Sequence, residues 1–126
     1  MNRPLELLCC VEESLRVLKA LPVVELGRRR QGLKPLVERL RRTGERAMRR
    51  GPVARARLQQ AIGRIDARLP GGPNCCRRAL LEITLDRGAA AEPFRMGLRA
   101  RGGQPSGHAW LGDHTGPECY DMTIEL

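Results

Sequence analysis

The sequence predicts an α+β domain, with a helical first half followed by a small antiparallel sheet. Three observations predict it. Apolar residues recur at helical spacing in three stretches before Pro70. A helix start with its own cap follows the Pro70-Gly71-Gly72-Pro73 break. From Pro93 onward, apolar and polar residues alternate with the period of a half-buried strand.

In chain order, Leu8, Val11, Leu15 and Leu18 make the first stripe, which Pro22 closes because proline has no N–H to give a helix. Leu33, Leu36, Val37, Leu40 and Met48 make the second, and Leu58, Ile62, Ile65 and Leu69 the third. Gly27-Arg28-Arg29-Arg30 and Gly51-Pro52 read as turns between them. Asn74 is a favoured N-cap, so Cys75 becomes the first helical residue. Ala79, Leu80, Ile83 and Leu85 give that helix an apolar side, and Gly88 supplies its stop. Phe94, Met96 and Leu98 alternate with Arg95, Gly97 and Arg99 as a strand, and Arg101 to Gly107 form a loop. His108 to Gly112 and Glu118 to Glu125 read as two further strands joined by a type I turn at Asp113-His114-Thr115-Gly116. The whole is one domain over 1–126, helical over 1–69, with the Cys75 helix and the sheet over 70–126.

Composition bounds the function. At 126 residues, with 41% hydrophobic and only 2% aromatic residues, the chain builds one core by aliphatic packing. No run approaches the roughly 18 apolar residues of a membrane span. The Leu5 to Cys10 run is cut by Glu12 and Glu13, unlike a signal peptide. Five cysteines, two adjacent pairs plus Cys119, give neither a disulfide framework nor zinc-finger spacing. Reduced thiols, a cytoplasmic location, no membrane association, no metal and no cofactor are expected.

The chemistry resides in two short stretches, Asn74-Cys75-Cys76-Arg77-Arg78 and Gly107-His108-Ala109-Trp110-Leu111. Unpaired N–H groups of a first helical turn and the positive end of the helix dipole favour a thiolate, and Arg77 and Arg78 add positive charge nearby. Cys76 competes for the role, but it points about 100° away around the helix. A downstream imidazole, His108, supplies a base. A hairpin centred between His114 and Thr115 would set Asp121 directly opposite His108, with Cβ atoms roughly 5 Å apart, so that its carboxylate fixes the imidazole tautomer. A one-residue bulge would turn Asp121 to the other face and leave Glu118 or Asp113 in its place.

Cys75-Cys76-Arg77-Arg78-Ala79-Leu80, the strand Phe94-Arg95-Met96-Gly97-Leu98, and Gly107-His108-Ala109-Trp110-Leu111 together resemble the leader peptidases of lasso-peptide biosynthesis, a transglutaminase-like cysteine protease family. The resemblance runs by motif from about Leu69 to the end of the chain. It departs from the family's pattern at Cys76, where Leu is usual, and at Gly112, where Glu is frequent. It implies a transglutaminase-like or papain-like core with Cys75 as nucleophile, His108 as base and an acidic third member. It also implies a protease that removes the leader of a ribosomally made precursor peptide before a separate lasso cyclase closes the macrolactam. Stand-alone members of this form work with a separate leader-recognition protein. The strand Phe94 to Leu98 offers an edge that the leader could join as an added strand.

Net charge argues for other partners. The value is +9, with Arg28 to Arg30, Arg41, Arg42, Arg46, Arg49 and Arg50 on or beside helices, which would suit phosphate contacts to a nucleic acid. The absence of interleaved aromatics and of a recognition motif makes a solvated helix face the better reading, and nucleic acid an unlikely partner. An acyl or amide transferase on the same Cys-His-Asp arrangement is the other alternative, since an amine can replace water at a thioester.

Overall fold

A computed structural model describes residues 3–99, 106–112 and 120–126. Its helices are α1 (Arg3–Arg30), α2 (Leu33–Gly44), α3 (Pro52–Arg68), α4 (Cys75–Leu85) and the single turn α5 (Arg87–Ala90). Its strands are β1 (Phe94–Arg99), β2 (Ser106–Leu111) and β3 (Met122–Glu125). The architecture is α+β, with helices packed against a three-stranded antiparallel sheet of order β2-β1-β3.

α4 occupies the centre of the packing, in contact with α1, α2, α3 and β2. Its Leu80, Leu81 and Ile83 have no exposed surface. Around them close Leu36, Val37 and Leu40 of α2, Leu58 and Ile62 of α3, and Phe94 and Ala109 of the sheet. Each fully buried aliphatic of this size stabilises the fold by about 1.5–3 kcal/mol, so the core holds α4 in place. On the sheet, Phe94 and Ala109 face these helices, whereas Arg95, Gly97, His108 and Trp110 take the opposite face by strand alternation.

Several expectations from sequence are corrected. α1 does not close at Pro22 but runs through it to Arg30. Proline removes only the hydrogen bond to the Leu18 carbonyl, and burial of Val17, Ala20, Val24 and Gly27 along one side favours continuing the helix. Gly27 therefore lies inside a helix and not in a turn; a Cβ there would collide with the Leu36 side chain, so the glycine lets α1 and α2 approach closely. The stripe Leu8, Val11, Leu15 and Leu18 faces outward, each at least 50% exposed. α2 ends at Gly44, leaving Met48 exposed. α4 stops at Asp86 and not at Gly88, because the Asp86 carboxylate accepts from the Gly88 N–H at 3.0 Å and caps the next turn.

The hairpin between the last two strands is also absent, because β1 sits between β2 and β3 and pairs with both. His108 is in register with Gly97, and Gly97 with Thr123. Two strand spacings, about 9.6 Å, thus replace direct opposition of His108 and Asp121. With both sides of β1 paired, the Phe94 to Leu98 strand has no free edge for a peptide to join. The turn at Asp113 to Gly116, the alternative acids Asp113 and Glu118, and Cys119 lie outside the described residues.

One buried acid fixes the approach to α4. Asp66, near the end of α3, is 1% exposed. Its carboxylate accepts from the Asn74 N–H at 3.0 Å and from Arg77 Nε at 2.7 Å, and it pairs with Arg78 Nε at 3.3 Å. Arg77 also donates to the Gly72 carbonyl at 3.0 Å, which fastens the intervening loop. Replacing Asp66 by Ala would leave the buried Arg77 guanidinium with only the longer ion pair to Glu25 at 3.5 Å. Asp66→Ala is expected to lower unfolding free energy by about 3–5 kcal/mol. Arg78→Ala, at a half-exposed ion pair, should cost under about 1 kcal/mol. Urea denaturation of the two variants checks the difference.

Candidate active site

Cap chemistry places Cys75 as expected. The Asn74 side chain accepts from the Arg77 N–H at 3.0 Å, which makes Asn74 the N-cap and Cys75 the first residue of α4. From there Cys75, Arg78, Ala79 and Glu82 fall on one helical stripe. That stripe lines a cavity of about 320 Å³, whose walls also include Arg55, Gln59 and Ile62 of α3 and His108 to Leu111 of β2.

β2 is an edge strand, and its Ala109 N–H, directed away from β1, donates to Cys75 Sγ at 3.3 Å. This hydrogen bond joins the start of α4 to the strand that carries His108. Cys75 and His108 line the same cavity, one from the helix and one from the adjacent strand. The imidazole is exposed on the sheet's outer face and stacks on Trp110 with ring centroids 5.8 Å apart. Trp110 in turn stacks on Tyr120 at 5.4 Å. A Cβ at Gly97 would collide with the Tyr120 ring, so the glycine opens the space that ring fills over the middle of the sheet. Asp121 follows Tyr120, and its N–H donates to the Leu98 carbonyl at 2.9 Å. Its neighbourhood is therefore the β1–β3 side, across Gly97 from His108.

The two cysteines differ in environment. Burial pushes the Cys76 thiol up from its ordinary range, assisted by the neighbouring Cys75 and Glu25 and opposed by Arg28. A raised thiol is a poor nucleophile at neutral pH. Cys76 does not line the cavity.

Charge around Cys75 differs from the simple expectation of two free guanidinium groups. Arg77 is turned inward against Asp66 at 2.6 Å and is 5% exposed. Of the two, Arg78 lines the cavity, and it is paired with Asp66 at 3.3 Å. One turn further along the same stripe, Glu82 accepts from Arg55 Nε at 2.9 Å and from Gln59 Nε2 at 2.8 Å. Arg55 also binds Glu92, and that hydrogen bond is the main reason its guanidinium is held above its usual range. These polar walls were not anticipated from the sequence. Their signal was present in the i, i+3, i+4, i+7 run from Cys75 to Glu82, which puts Glu82 on the cysteine's own stripe.

The basic residues do not form one uniform face. Arg50 is buried against Glu13 at 2.6 Å and donates to the Leu85 carbonyl at 3.2 Å. Arg41 donates to the carbonyls of Glu92 and Leu126 at 2.9 and 2.7 Å. Part of the positive charge thus ties helices to the sheet. Among the described residues no group of three or more His, Cys, Asp or Glu is placed to hold a metal ion, and no helix is long and apolar enough to cross a membrane.

Comparisons with protein-family models, with curated proteins and with solved structures found no match to this chain.

The raised Cys76 thiol has a measurable consequence. Folding favours its neutral form, so its contribution to stability is complete below the ordinary thiol range and is lost as pH rises through the folded value. At about pH 8 iodoacetamide should alkylate Cys76 more slowly in the folded protein than in the urea-unfolded chain, with the gap narrowing as pH rises. Peptide mapping by mass spectrometry reads the rates.

Proposed function

We propose that the chain is a cysteine peptidase of the lasso-peptide leader peptidase kind, on a transglutaminase-like core, which removes the leader from a ribosomally made precursor. The observation that carries the reading is the junction of α4 and β2. A thiol at the first position of a capped helix is hydrogen-bonded to the strand bearing His108, and both residues line one cavity. The sequence motifs around them supply the substrate class.

In this reading the Cys75 thiolate attacks the scissile carbonyl carbon, and the carbonyl π electrons move onto oxygen. The helix-start N–H of Cys75 or Cys76 donates to that oxyanion. Collapse expels the amine, to which protonated His108 delivers its proton, and leaves a thioester on Cys75. Neutral His108 then takes a proton from water as the hydroxyl adds to the thioester. The acid product departs and the thiolate returns. The wall of Arg55, Gln59 and Glu82 gives the cavity hydrogen-bonding groups of both signs, suited to a polar peptide backbone.

Asp121 is our assignment for the acid that orients His108. It stands on the β3 side of β1, and contact of its carboxylate with the imidazole requires the Tyr120 ring, which fills the space over Gly97, to move aside. The precursor, a separate leader-recognition protein and the lasso cyclase are the partners this function requires.

Cys75→Ala is expected to abolish cleavage of the cognate precursor, assayed with its recognition partner, while Cys76→Ala retains most of it. Equal loss in both would overturn the nucleophile assignment. Asp121→Asn should lower turnover by about 10²–10⁴-fold with little change in KM, and unchanged turnover would remove Asp121 from the site.

A further inference from the structure

α1 carries two apolar sides. Val17, Ala20, Val24 and Gly27 are buried against the core. On the opposite side Leu7, Val11, Leu15, Leu18 and Leu26 lie within about 100° of one another around the helix axis. Each of these five is 50–65% exposed. The interval between successive members from Val11 to Pro22 is 4, 3, 4, the spacing of a coiled-coil seam. Nothing among the described residues covers this side.

We propose that this side of α1 pairs with α1 of a second copy of the chain, antiparallel, in a two-fold symmetric homodimer. The register follows from the sequence. Centring the two-fold axis between Arg16 and Val17 sets Leu15 against the second copy's Leu18, Val11 against its Pro22, and Leu7 against its Leu26. These residues then meet in apolar pairs, with exposed Leu8 beside the second copy's Leu26, and each contact occurs twice, as an isologous interface requires. Charge selects the same arrangement. Glu12 and Lys19 lie on the same flank of the stripe, about 20° apart around the axis. Antiparallel pairing sets like flanks together and brings each Glu12 beside the Lys19 of the other copy, whereas parallel pairing sets this flank against the opposite one and loses the attraction. That complementarity matters in a chain with net charge +9, which otherwise repels its own copies. The contact from Leu7 to Leu26 extends about 30 Å along the helix. It buries on the order of 1,000 Å² in total, enough for a specific interface. The cavity at Cys75 is lined by α3, α4 and β2 alone, so dimerisation through α1 leaves it open.

Sedimentation equilibrium of the full chain tests the arrangement. A dimer is expected at about 100 μM, dissociating on dilution. Leu15→Glu should give a monomer with an unchanged far-ultraviolet circular dichroism spectrum, since Leu15 is 60% exposed and contributes little to the fold. Glu12→Lys should weaken the dimer about fivefold, and Glu12→Lys combined with Lys19→Glu should restore it. A monomeric wild-type chain would overturn the proposal, and so would a dimer that survives Leu15→Glu or a double exchange that fails to restore association.

Discussion

The Asp66 carboxylate is the constraint on which the position of Cys75 depends. One buried acid holds the end of α3, the backbone of Asn74 and the Arg77 side chain of α4. Because Asn74 is also the cap of α4, the same contacts that satisfy a buried charge fix where the helix begins. A helix that began one turn later would carry the thiol into the Pro-Gly-Gly-Pro loop, away from the Ala109 N–H. The ion pair is thus worth less as net stabilisation than as a means of specifying one register between loop and helix.

From that register the site is assembled by elements of unequal rigidity. α4 is gripped on several sides by aliphatic packing, while β2 is an edge strand whose outward N–H groups have no strand beside them among the described residues. The Ala109 to Cys75 hydrogen bond occupies one of those groups. It gives an edge strand a fixed neighbour and gives the thiol a fixed direction, so a single contact serves the sheet and the site together. The stacked rings of His108, Trp110 and Tyr120 then limit the imidazole from the other side.

Some of this was legible in the sequence. Asn74 could be read as a cap because side-chain capping is a local interaction, complete within four residues. The Phe94 to Leu98 alternation was legible for the same reason. Strand order was not, since it depends on where the chain passes after Leu111, and turn composition at Asp113 to Gly116 favoured a neighbouring hairpin that does not form. The inner and outer sides of α1 could not be told apart either: both are apolar at helical spacing, and only packing against Leu36 through Gly27 decides which is buried. Asp66 escaped notice because its partners lie 8 and 11 residues away across an irregular loop. Arg77 was correctly placed beside Cys75, but its charge is spent on that acid.

The proposed function requires Cys75 and His108 to act as one chemical unit at the junction of α4 and β2. Site-resolved alkylation by iodoacetamide at neutral pH, compared between the wild-type chain and His108→Ala, tests it most directly. Cys75 is expected to be the fastest-reacting of the cysteines, with a rate that falls at least about tenfold in His108→Ala while the other cysteines are unchanged. A Cys75 rate that does not respond to removal of the imidazole would contradict it.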